Sequence, residues 1–268
     1  IKVSGSYPST DLINPLIRNL SISCLLDDIV DALEIQNKSD IIIEISKVLQ
    51  EPQITVRLKK GIFQILKEYH NQESIDLLRS GLKEKDISIA SIAADSLHII
   101  SKNIKINYTT LKKIDSDISN IAEYGYMLHI FRNNFELSQS TLLLIDQINS
   151  DLKEIVPILL KLGVLESPKI PLETYIQYFH SDDKDLLPLV LELVESVFKK
   201  ENSDKIIPLI ENDVDKIKIA YKLYPGILED KENVFLTWVE NNHNWKSIIS
   251  IDYLLNNDQI DLLSRANW

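Results

Sequence analysis

Five histidines, one cysteine and a few carboxylate clusters are the side chains with chemistry to offer. His70, His98, His129, His180 and His243 lie in separate segments, and none stands at H-E-x-x-H or C-x-x-C spacing to another ligand. That spacing is what lets two ligands reach one zinc ion, so the pattern supplies no metal site. His70 and His180 fall near expected helix C-termini, where a partly charged imidazole suits the helix dipole. Asp182-Asp183-Lys184-Asp185 has the acids of a calcium loop but not its glycine or distal glutamate, and it reads as a turn that caps the next helix. Asp27, Asp28 and Asp31 read as the solvated side of an amphipathic helix. No G-x-x-x-x-G-K-[ST], G-x-G-x-x-G or G-x-S-x-G occurs, which leaves phosphate cradling and serine hydrolysis without support. No catalytic, cofactor-binding or metal-binding residue is assigned, and no cofactor is expected.

Two clusters suit recognition better than reaction. Arg57, Lys59 and Lys60, with Lys67, form a modest basic group that would accept an acidic partner or simply face solvent. Tyr124, Tyr126, Phe131 and Phe135 bunch near the middle of the chain. They would fill a seam between two halves or anchor a docked peptide, since aromatic side chains dominate protein interfaces. Arg57, Lys59, Lys60, Tyr124 and Tyr126 are therefore the candidate docking residues. Trp238 and Trp245 are expected to cap the last helical segments.

The elements that must carry these residues are helices. In residues 71–101, Ile75, Leu78 and Leu82 share one helical face, and Ile89, Ile92, Ala93, Leu97 and Ile100 share another. Glu84-Lys85-Asp86 makes the turn between them, with Asp86 as N-cap. Such a hairpin cannot bury its apolar face alone and calls for similar neighbours. A shift of 33 back pairs Leu82 with Leu49, Ile87 with Ile54 and Ile89 with Val56. A shift of 97 forward pairs Asp86 with Asp183, Ile92 with Leu189 and Leu97 with Val194.

Composition agrees. Gly is scarce, at 6 of 268 residues, and 44% of the chain is apolar, which favours packed helices over sandwiches, barrels or Gly-rich nucleotide folds. The expected class is all-α. Residues 1–134 hold 16 Lys and Arg against 17 Asp and Glu, a balance of −1; residues 135–268 hold 13 against 23, a balance of −10. An acidic half repels nucleic acid and anionic lipid, so no nucleic-acid partner is expected. Cys24 sits in an apolar run and is expected in the core. The longest apolar run, residues 155–165, is too short to span a bilayer and is broken by Lys161.

In order, the sequence predicts a flexible lead-in over 1–10 and helices over 11–20 and 21–35. Next come 41–50, capped by Ser39 or Asp40, and 54–70, then the 71–101 hairpin. A long connection over 102–110 precedes helices at 111–119 and 120–133. Helices at 138–149 and 151–163 follow, the latter kinked by Pro157. Helices at 172–180, 184–200, 203–212, 213–224, 230–241 and 245–256 complete the series, with 257–268 a short helix or a frayed end. Residues 102–150 break the period and are expected to be an irregular insertion between repeats at 11–101 and 151–268.

Residues 56–100 (VRLKKGIFQILKEYHNQESIDLLRSGLKEKDISIASIAADSLHII) look like two consecutive HEAT repeats. Residues 159–211 and 234–255 (the latter VFLTWVENNHNWKSIISIDYLL) look like later and closing repeats. Together they resemble the soluble HEAT-repeat region of bacterial ATP/ADP translocase-like membrane proteins of the major-facilitator type. The resemblance implies a right-handed α-solenoid of roughly six to eight hairpins. It also implies a non-catalytic regulatory or protein-binding role on the cytoplasmic side of a membrane, with the membrane part outside this chain. Two other readings stay open. One is a free cytoplasmic scaffold; the other is a HEAT-like DNA glycosylase, which would need a basic groove and a catalytic aspartate.

Overall fold

The computed structural model describes residues 8–84, 86–133, 135, 141–180, 186–227, 245–256 and 264. The expected helices at 230–241 and 257–268, the Asp182–Asp185 turn, His243 and Trp238 lie outside them, as does most of the lead-in. Thirteen α-helices and four short 3-10 turns make up the described residues, which contain no strand, so the chain is all-α. No described helix is long and apolar enough to cross a membrane. The chain divides into two compact units, residues 1–105 and 106–268.

The first unit holds α1 (Thr10–Arg18), 3-10 turns at Asn19–Ser21 and Ser23–Leu25, α2 (Leu26–Glu34), α3 (Lys38–Leu49), α4 (Val56–Ile65), α5 (Gln72–Gly81) and α6 (Ile87–Asn103). Helices α3 to α6 each start where a short polar side chain takes an orphan backbone N–H. Asn37 accepts from Ser39 and Asp40, Thr55 from Leu58, Asn71 from Ser74 and Asp86 from Ser88. The cap of α3 is thus Asn37, ahead of the expected Ser39 or Asp40, because its side chain reaches both following N–H groups. Asp86→Ala is expected to lower the unit's stability by about 1 kcal/mol, read as a shift of the urea midpoint.

The first hairpin differs from expectation. A single helix over 21–35 does not form; Ile22 is extended, and α2 starts only at Leu26. Asn19 Nδ2 donates to Pro15 O and Ser21 Oγ to Arg18 O, so side chains take the carbonyls at the end of α1. Cys24 falls in the second turn and is exposed, which corrects its expected place in the core.

Two rows of helices build this unit. α1 packs on α3 and α3 on α5; the Asn19–Ser21 turn packs on α4 and α4 on α6. Three side-chain ties span the 33-residue interval found in the sequence. Arg18 Nη2 meets Glu51 Oε1 at 2.6 Å, Ser96 Oγ donates to Phe63 O at 2.9 Å, and Asn103 Nδ2 lies 3.3 Å from His70 Nε2. Arg18 and Glu51 are solvent-exposed, so their pairing fixes register more than it adds stability.

The second unit contains α7 (Tyr108–Asn133), α8 (Leu142–Gly163), α9 (Leu172–His180), α10 (Leu187–Val197), α11 (Lys200–Ile210), α12 (Lys216–Leu223) and α13 (Trp245–Asn256). Between residues 102 and 150 the helices run longer than the sequence predicts. α6 runs to Asn103, the connection is only 104–107, and α7 continues unbroken through Ser119-Asn120 for 26 residues. Asn107 Oδ1 accepts from Thr110 N–H at 2.8 Å and starts that helix. The expected break at 149–151 is also absent, since α8 runs 22 residues through Asp151 and Pro157. Buried Asp151 accepts from Gln147 Nε2 at 2.9 Å, a side-chain bond along the helix that spans the point of the expected break. Arg132 Nε donates to Asn149 Oδ1 at 2.7 Å and ties α7 to α8. α7 is the hub of this unit, with α8, α11 and α12 packed on it. Gly125 makes room for the closest approach, because a Cβ there would stand 2.9 Å from Ile155 Cγ2.

Candidate functional site

The five candidate docking residues meet different fates. Arg57, Lys59 and Lys60 occupy the first two turns of α4, which has no acid in its first turn. Cations at a helix start oppose the macrodipole, so this placement does not serve the helix. Lys59 is neutralised within the unit: its Nζ lies 2.8 Å from both carboxylate oxygens of Glu84. It therefore clamps the turn after α5 and is not available to a partner. Arg57 is exposed and Lys60 partly so, and neither forms a salt bridge among the described residues. Exposed Gln64 follows Lys60 by four residues and Arg57 by seven, which puts the three on one face of α4. Gln64 was not singled out from the sequence; the helical spacing could have found it.

Tyr126 is no docking anchor. Its side chain is fully buried, its hydroxyl donates to Lys205 O in α11 at 2.7 Å, and its ring lies 5.9 Å from that of Tyr224. Tyr224 in turn donates to Ser119 O at 3.4 Å. Burial pushes the Tyr224 phenol up to about 12 and the Tyr126 phenol up as well, so both stay neutral donors. Tyr124 is half-buried on α7. Phe131 is buried and packs edge-on to Phe135 at 5.3 Å, and Phe135 packs edge-on to Tyr253 at 5.1 Å. Tyr126, Phe131 and Phe135 thus belong to the packing around α7.

Beside it, Lys216 closes the end of α11. Its ammonium donates to Pro208 O at 2.9 Å and to Glu211 O, carbonyls that have no helical N–H partner at that end. Burial lowers the Lys216 pKa, which Glu211 partly offsets. His129 is driven down from its ordinary 6.5 to about 4 by burial first, then by the positive Lys216 and Arg132. A base depressed on folding takes up its proton more readily in the unfolded chain. Stability is therefore present above pH 6.5 and is lost as pH falls from 6.5 toward 4. The expected loss across that window is roughly 2 to 3 kcal/mol. His129→Gln should flatten the wild-type fall in urea midpoint between pH 7 and pH 4.5; an unchanged slope would contradict the assignment.

Among the described residues, no three His, Cys, Asp or Glu side chains gather in a group that could hold a metal ion. His98 is buried in α6, and His70 is exposed beside Asn103. No protein-family model matches this chain, nor does any curated protein or solved structure. Of the five candidates, Arg57 and Lys60 lie on the exposed face of α4 that also bears Gln64.

Proposed function

We propose that the chain is a non-catalytic protein-binding module whose first unit is a stack of three HEAT-like hairpins, docking an acidic segment of a partner on the α4 face. The reading rests on one observation: α4 leaves Arg57 exposed and Lys60 partly so, neither with an ion-pair partner among the described residues, while neighbouring Lys59 has one. The rows α1–α3–α5 and turn–α4–α6, tied at 33-residue intervals, support the repeat reading for this unit. The second unit, in which α7 packs on helices far along the sequence, serves as a separate body. Charge complementarity would give such docking its specificity and its salt dependence.

Reversing the charges in Arg57→Glu with Lys60→Glu tests this. The fold should persist, since neither residue is fully buried or forms a salt bridge among the described residues. Recovery of a partner from the native extract at low salt should fall at least about tenfold, as expected when facing charges are made to repel. Equal recovery by wild type and the double variant would overturn the reading.

The sequence resemblance extends the proposal to the soluble, cytoplasmic part of a transporter-like membrane protein. Fractionation of the native protein with membranes supports that extension, and recovery of the full-length native protein in the soluble fraction contradicts it.

A further inference from the structure

We draw no further inference here: the strongest candidate, the exposed apolar stripe of α13 formed by Ile248 and Leu255, carries nothing because nothing in the structure shows what covers it.

Discussion

Truncation of Tyr126 to alanine is expected to destabilise the second unit by about 4 kcal/mol, the largest single loss anticipated for this chain. The ring is wholly buried at the junction of α7, α11 and α12, where it meets Tyr224. Its removal would leave a cavity the size of a phenol, lined by helices held in place by other contacts. The hydroxyl adds a separate contribution, because Lys205 O, its 2.7 Å acceptor, would lose that donor. Tyr126→Phe isolates this part and should cost only about 1 kcal/mol. All three tryptophans fall in this unit's sequence, so intrinsic fluorescence during urea titration reports on its unfolding. A Tyr126→Ala variant within 1 kcal/mol of wild type would contradict a load carried by this ring.

Replacing Gly61 by alanine is expected to cost the first unit about 3 kcal/mol, although alanine is the better helix former by about 1 kcal/mol. A Cβ at this position would stand 2.3 Å from Leu20 O and 2.8 Å from Leu20 Cβ. The obstacle is backbone of the turn on which α4 packs, so relief requires separating two elements of one row. Gly81 offers the contrast. There a Cβ would meet the edge of the Phe63 ring and the Ala93 side chain, each at 2.9 Å. The ring can shift a little and Ala93 Cβ moves only with α6, but both contacts are longer than the 2.3 Å backbone clash at Gly61, so Gly81→Ala should cost less. The two variants, compared by the midpoint of the helical circular-dichroism transition, should rank in that order. The reverse ranking would mean that α4 does not seat on Leu20 as described.

What the sequence made legible follows from which forces act locally. Spacing of Ile75, Leu78 and Leu82 marked the buried face of α5, and Asp86 marked the start of α6, because both signals lie within a few residues of their effect. The 33-residue shift was visible as repeated apolar positions, and it reappears as ties between Arg18 and Glu51, and between Phe63 and Ser96. The length of α7 was not legible. Ser119-Asn120 resembles a helix boundary, yet the helix carries on because Ile118, Ile121 and Ala122 are buried on both sides of it. Tertiary packing overrides a weak local preference. Cys24 misled for the opposite reason, since its apolar neighbours imply burial while the turns around Ile22 tip it outward.

The candidate site was legible only in part. Composition singled out Arg57, Lys59 and Lys60, but which of them is spent internally depended on Glu84, 25 residues after Lys59 and brought near by folding. Tyr126 reads from the sequence as either a packed seam residue or a docking anchor, and the position of α11 across from α7 puts it in the packing.

Docking through the α4 face is tested most directly by site-specific photocrosslinking in the native extract. A photoreactive side chain at Gln64, exposed beside Lys60 on the second row, is compared with one at Asp76, exposed on α5 in the first row. The account predicts a discrete adduct from position 64, lost when Arg57 and Lys60 are reversed to glutamate, and none from position 76. An adduct from position 76 alone, or adducts of equal yield from both, would contradict it.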